Sequence, residues 1–287
     1  MIPCLFATDL HGRLDRYRKL FRAIEAEKPT AVFLGGDLLP GMVAAMAGGR
    51  PSHDDFVNDY LAVEFELLKS KLAADYPEVF VILGNDDGRM PESAMHDVSA
   101  RGLWTYLHDR SASLGSFTVY GYAYVPPTPF LLKDWERYDV SRYVDPGCIS
   151  PEDGRHSVPV PRRETKLATI QDDIERLTGS VEMERAVFLF HSPPYRTKLD
   201  RAALDGKMID HVPLDVHVGS IAIQRFIKSR QPWLSMHGHI HESVRLTGTW
   251  LDRIDKTVML GAAHDGPELA LIGFDLTRPS AASRRLL

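Results

Sequence analysis

The stretch Ile2-Pro3-Cys4-Leu5-Phe6-Ala7-Thr8-Asp9-Leu10-His11 sets an apolar run of strand length directly before an Asp-x-His pair. The same arrangement returns four times along the chain. Ala31-Val32-Phe33-Leu34 leads into Gly35-Gly36-Asp37, and the run from Val79 to Leu83 leads into Gly84-Asn85-Asp86-Asp87. Ala186 to Phe190 leads into His191, and Trp233 to Met236 leads into His237-Gly238-His239-Ile240-His241. Short β-rich runs alternating with longer helical patterns predict an α/β layered fold. Loops at the carboxyl ends of strands are where open α/β sheets place their sites. Asp and Asn favour turns in any case, so one such ending means little. Five endings that each offer Asp, Asn or His have the makings of a metal site.

Between these runs the chain reads as helices. Residues 14–27 place Tyr17, Leu20, Phe21 and Ile24 on one stripe, and Pro29 ends the pattern. Residues 54–75 carry Leu61, Phe65, Leu68 and Leu72 at helical spacing, with Asp54 or Asp55 able to cap. Further helices are predicted over 164–177 and 220–229, and a weaker strand over 117–125. The carboxyl-terminal part reads as antiparallel strands over 243–246, 257–260 and 269–274, with a frayed polar tail after Asp275. Residues 126–163 differ in kind: Pro126-Pro127-Thr128-Pro129 opens a Pro-rich stretch containing Trp135, Tyr138 and Tyr143. A long loop inside a compact domain is functional or disordered, and the aromatics favour a docked, lid-like insertion. The fold pattern resumes afterwards, so residues 1–287 read as one domain.

Composition sets the outer limits. The 287 residues are 44% hydrophobic and 25% charged, enough for one large core without disulfides. The formal net charge is −5, which disfavours a general electrostatic grip on nucleic acid or an anionic membrane. Cys4 and Cys148 are the only cysteines, and no CxxC occurs, so a zinc ribbon or thioredoxin-like chemistry is excluded. The amino terminus has no basic region ahead of its short apolar run, and no apolar run approaches a membrane span. A cytoplasmic protein, with homo-oligomerisation left open, is the expectation.

The donor set narrows the chemistry. On an extended segment, residues i and i+2 point the same way, as Asp9/His11 and His239/His241 would. Asp, His and Asn without thiolate suit Mn or Fe, with Zn or Ni as alternatives, rather than Ca. The candidates are too many for one tetrahedral site, and two ions sharing a carboxylate would use them. Two divalent ions against Asp9 and Asp37 leave a positive site suited to phosphate oxygens.

The ordered set Asp9-x-His11, Gly36-Asp37, Gly84-Asn85, His191 and Gly238-His239-x-His241 resembles the calcineurin-like metallophosphoesterase superfamily. The resemblance implies a four-layer α/β sandwich with two mixed β-sheets inside and helices outside. It also implies that Asp9, His11 and His241 hold one metal, that Asn85, His191 and His239 hold the other, and that Asp37 bridges them around a nucleophilic water or hydroxide. The implied activity is hydrolysis of a small-molecule phosphoester by a phosphodiesterase or phosphatase.

One position departs from the family pattern. Where the family commonly carries a His after Gly-Asn, this chain has Asp86. Neighbouring dications would hold that carboxyl ionised, which makes it a poor proton donor and suits it to orient a ligand. Replacement donors are sought among His211, His217, His53 and His264. His217 comes first, because Gly219-Ser220 then opens a helix whose N–H groups can bind phosphate. Ser220 and Arg89 are the expected substrate contacts, whereas Arg196 and Lys198 read as solvated, and His237 reads as a hydrogen-bonded core histidine. The alternative function is a catalytically degenerate scaffold of the same fold that binds a protein partner, a reading kept open by Asp86.

Overall fold

The computed structural model describes residues 1–41 and 55–287. Its strands, in chain order, are β1 (Pro3–Ala7), β2 (Ala31–Gly35), β3 (Glu78–Ile82), β4 (Thr105–Tyr106), β5 (Arg110–Leu114), β6 (Phe117–Tyr122) and β7 (Ala186–Phe190). They continue with β8 (Met208–Ile209), β9 (Val212–Pro213), β10 (Leu234–His237), β11 (Leu251–Ile254), β12 (Thr257–Gly261), β13 (Ala270–Asp275) and β14 (Ser283–Leu286). The helices are α1 (Leu14–Glu27), α2 (Ala62–Leu72), α3 (Glu92–Ala100), α4 (Arg162–Leu167), α5 (Ile170–Thr178), α6 (Ile221–Arg230) and α7 (Ser243–Thr247).

Two six-stranded mixed sheets form the interior, ordered β14-β13-β1-β2-β3-β4 and β11-β12-β10-β7-β6-β5. Each has a parallel block, β1 to β4 in one and β6, β7, β10 and β12 in the other, with antiparallel strands outside it. β2 and β7 are buried along their whole length, which is why they read as unbroken apolar runs rather than alternating ones. Stacked rings fill the core: Phe33 lies 5.4 Å from Phe80, and Tyr120 lies 4.8 Å from Phe188. Helices flank the sheets. α1 turns Tyr17, Leu20, Phe21 and Ile24 inward, and its Phe21 ring meets Phe65 of α2 edge-on at 5.1 Å.

Several elements differ from the sequence expectation. Residues 243–246 form α7 rather than a strand, because Gly248 adopts φ +69° and donates its N–H to the Val244 carbonyl as a helix C-cap. The tail is not frayed: β14 pairs antiparallel with β13, its polar Ser-Arg-Arg-Leu sequence suiting an edge strand. β12 pairs parallel with β10 and antiparallel only with β11. The predicted helix over 164–177 is two, since Thr169 accepts the Asp172 N–H and starts α5 afresh. The long helix near 54–75 begins with a π turn over Val57–Leu61, with Asp55 accepting the Asn58 N–H at 2.9 Å, whereas Asp54 lies outside the described residues. α3, β4, β5 and β11 were not anticipated.

Residues 126–163 dock as a strap. Trp135 and Tyr138 are buried, whereas Tyr143 is exposed. Lys133 and Glu136 form an ion pair with both side chains fully buried, and Glu136 also accepts the Thr128 N–H and hydroxyl. Among the ties that hold the strap, Asp134 accepts the Arg89 N–H at 2.8 Å, Arg137 pairs with Asp173 of α5, and Asp139 accepts the Ile221 N–H at the start of α6.

Candidate metal centre

Parallel β1, β2 and β3 of one sheet and parallel β7 and β10 of the other end on the same side, and all seven predicted ligands lie in the loops that follow. Ligand atoms of Asp9, His11, Asp37 and His241 lie within 4.8 Å of one another. His241 Nε2 is 3.2 Å from Asp9 Oδ1 and 3.2 Å from His11 Nε2. A second group adjoins it. His191 Nε2 lies 3.1 Å from Asn85 Oδ1 and 3.3 Å from Asp37 Oδ2, and the His191 and His239 rings are 5.3 Å apart. Asp37 therefore touches both groups.

The local backbone is shaped for this. Asp9, His11, Asp37 and His239 all have positive φ, between 49° and 71°, a conformation that non-glycine residues seldom adopt. Such outliers concentrate where surrounding structure over-determines a functional loop. Here the Asp9 N–H donates to Gly36, the His11 N–H to Asp37 and the Gly12 N–H to Leu38, so the first two loops run together as a ladder. Gly84 allows the third loop to close in, since a Cβ there would lie 2.5 Å from the Asp37 nitrogen and 2.7 Å from His191 Nε2.

Charges inside the cluster are mutually held. Burial alone would raise the Asp37 carboxyl, but His191 and His11 hold it below the usual carboxylate range. Asp9 is likewise held down against burial by His241. Burial opposes protonation of His11 and His191, yet the carboxylates raise both to about 9, Asp86 first for His11 and Asp37 first for His191. His239 is lowered to about 3, by burial and then by His191.

The residues fit divalent metal ions. Asp9 Oδ2 is buried with no hydrogen-bond partner, a state a carboxylate oxygen seldom holds without a cation. The donors are carboxylate, imidazole and amide, a set that suits Mn, Fe, Zn or Ni.

The remaining predicted residues are placed as follows. Asp86 lies beside the cluster, its Oδ2 3.1 Å from His11 Nδ1 and its N–H donating to Asp37 Oδ1 at 2.8 Å. His217 lies on the long loop after His191, with Nδ1 2.8 Å from the buried carboxylate of Asp200. Ser220 does not fill its expected role. It is fully buried, its hydroxyl donates to Asp139 and accepts from Ile223, and Asp139 also takes the Ile221 and Ala222 N–H groups. The start of α6 thus already carries a carboxylate where phosphate was expected. Arg89 turns away from the cluster, donating to Glu92 and Tyr124 and lying over the Trp135 ring. His264 bonds Glu268, His211 is exposed at the β8–β9 turn, and His53 lies outside the described residues. His237 is buried between the Ser192 carbonyl and the Ser235 hydroxyl, as expected of a core histidine.

Three supporting residues escaped the sequence reading. Arg16, buried on α1, donates to the Asp9 carbonyl at 2.5 Å and the Gly266 carbonyl at 2.6 Å. Asp87 accepts the N–H groups of Leu38, Leu39 and Gly84, joining the second and third loops. Asp200 holds His217. The doubled acid at 86–87 was the one available signal, since Arg16 reads as surface charge and Asp200 as loop polarity.

A two-sheet α/β sandwich that gathers Asp, His and Asn at the strand ends of both sheets defines a metallophosphoesterase. The chain belongs to the calcineurin-like phosphoesterase family, whose model matches residues 2–243. Comparison with curated proteins yields no match. Among solved structures, a Thermus thermophilus protein aligns over 99% of this chain and 98% of its own, at 13% identity and TM-score 0.55. A dimetal phosphatase from Danio rerio aligns over 94% and 92% at 12% identity and TM-score 0.51. A phosphopantetheinyl hydrolase from Mycobacterium tuberculosis aligns over 91% and 89% at 13% identity and TM-score 0.50. At these identities the likeness concerns the fold. No helix among the described residues is long and apolar enough to cross a membrane.

Proposed function

We propose that this protein is a dinuclear metal-dependent phosphoester hydrolase, a phosphodiesterase or phosphatase acting on a small-molecule phosphoester. The observation that carries the reading is Asp37, whose carboxylate adjoins both donor groups while Asp9 Oδ2 has no protein partner. Asp9, His11 and His241 would hold one ion, and Asn85, His191 and His239 the other, with Asp37 shared. Bound ions would supply positive charge for the phosphoryl oxygens and a nucleophile available near neutral pH.

The chain's own residues would do the rest. Asp86 holds the His11 ring through Nδ1, leaving Nε2 to face the cluster. His217 would give the proton at Nε2 to the leaving oxygen, while Asp200 fixes its ring by taking the Nδ1 proton's hydrogen bond. The phosphatase and hydrolase among the structural neighbours agree with this chemistry.

The test is hydrolysis of bis-p-nitrophenyl phosphate and p-nitrophenyl phosphate by metal-stripped protein with Mn restored, beside Asp37→Asn. Metal-dependent turnover that Asp37→Asn lacks establishes the enzyme, and the diester-to-monoester ratio assigns its class. Neither turnover nor bound metal would sink the proposal.

A further inference from the structure

A cleft of about 420 Å³ opens at the same rim as the candidate centre. In one sheet β5 lies outside β6, and β6 outside β7, the strand that leads into His191. Arg110 opens β5 opposite Gly121, near the carboxyl end of β6. In the other sheet β4, which leads into His108, lies beside β3, which leads into Asn85. The cleft therefore flanks the metal ligands in both sheets, one strand spacing from β3 and two from β7, about 5 and 10 Å at about 4.8 Å per strand.

Four arginines (Arg89, Arg110, Arg137 and Arg176), His96 and His108 line it together with the carboxylates of Glu92, Asp109 and Glu164. Carboxylates engage three of the guanidinium groups: Glu92 pairs with Arg89, Glu164 and Asp173 with Arg137, and Asp109 and Asp173 with Arg176. Arg110 forms no ion pair among the described residues. His108 is 9% exposed, and its Nδ1 accepts the Ala123 N–H at 3.1 Å. A neutral imidazole that accepts at Nδ1 carries its proton on Nε2. That N–H finds no hydrogen-bond partner among the described residues. Burial first, and then Arg89, Arg137 and Arg176, push His108 well below the usual histidine range, so a neutral donor sits in a positive field.

We propose that this cleft is a substrate subsite for a second anionic group, a phosphate or carboxylate carried by the part of the phosphoester remote from the reacting phosphorus, with Arg110 and the His108 Nε2–H as its donors. The inference rests on the hydrolase reading above and names its substrate class: phosphoesters with a second anionic group on the order of 5–10 Å from the reacting one. The diester bis-p-nitrophenyl phosphate carries one anionic group and lacks the second.

Two measurements test it. The first is calorimetric titration of butyl phosphate into metal-stripped protein. Arg110→Glu and His108→Phe should each weaken binding about tenfold or more, the loss of one charge-assisted or desolvated hydrogen bond. Arg110 is exposed, so its replacement spares the core even where His108→Phe fails to fold. The second compares turnover of bis-p-nitrophenyl phosphate with a p-nitrophenyl diester whose other arm is a butyl chain ending in phosphate. Wild type should favour the two-anion ester in kcat/KM, and Arg110→Glu should cut that preference about tenfold. Equal treatment of both esters, or butyl phosphate binding indifferent to Arg110, would overturn the subsite while leaving the hydrolase standing. Anion binding through Arg110 with turnover of neither ester would instead overturn the hydrolase reading, and the substrate assignment with it.

Discussion

Asp86 Oδ2 lies 3.1 Å from His11 Nδ1, so the residue that departs from the family pattern is tied to a candidate metal ligand. A carboxylate behind a ligating imidazole fixes its tautomer and orientation, and removing such a partner costs about 10- to 100-fold in metal affinity. Asp86→Ala should lower affinity for the ion nearest His11 by that range, read by competition with a chelating dye. Asp86→Asn, which can still accept from Nδ1, should lose less. Equal affinity in all three proteins would leave Asp86 without this role.

His217→Ala should separate esters by their leaving groups. Turnover of an unactivated alkyl ester should fall about 10²- to 10⁴-fold, the usual share of a positioned acid. The p-nitrophenyl esters leave without help and should change little. A uniform loss across both would point to damage of the loop that carries Asp200.

Gly84→Ala places a methyl group 2.5 Å from the Asp37 nitrogen and 2.7 Å from His191 Nε2. Overpacking of this kind costs about 1–3 kcal/mol. Both melting temperature and metal content should drop, because the neighbours that must move are candidate ligands. A fully metallated variant with wild-type melting would contradict this packing.

What could be read in advance follows from where the information lies. Each candidate ligand sits one to four residues beyond a buried strand, so local pattern alone exposed the cluster, with the sheets as its frame. The start of α6 was misjudged because its occupant, Asp139, comes from more than eighty residues earlier in the chain. β14 was missed because its backbone pairing, rather than apolar alternation, places it. Arg16 escaped for a similar reason: its partners are carbonyls, which leave no mark in composition.

Lys133 and Glu136 face each other with no solvent exposure at either side chain. Lys133→Met leaves a buried carboxylate unpaired and should cost about 3–5 kcal/mol in urea unfolding. The double variant Lys133→Met, Glu136→Leu should recover most of this, short of the share owed to the Thr128 N–H and hydroxyl that Glu136 now accepts. A single variant as stable as wild type would mean that the strap opens at little expense.

Acid should destabilise the protein partly through His237. Burial lowers this histidine from 6.5 to about 4. Its folded pKa is depressed, so the unfolded chain takes up the proton first. The stability it contributes is complete above about pH 6.5 and is lost as pH falls towards 4, by about 1.4 kcal/mol per unit. Unfolding free energies of wild type and His237→Gln across that window should differ in slope by up to one proton. Parallel curves would place the acid sensitivity elsewhere.

Asp9 and His241, 3.2 Å apart, stand 232 positions apart in the chain. During synthesis at about 5–20 residues per second, the amino-terminal half of the centre waits on the order of ten seconds or more for its partner to be made. The pairing of β1 with β13 spans a comparable stretch. Contacts of such high order form slowly. An ion held by both ends of this set can be captured only by a nearly finished fold, which makes metal uptake a late clock for folding and metal release an early sign of its failure.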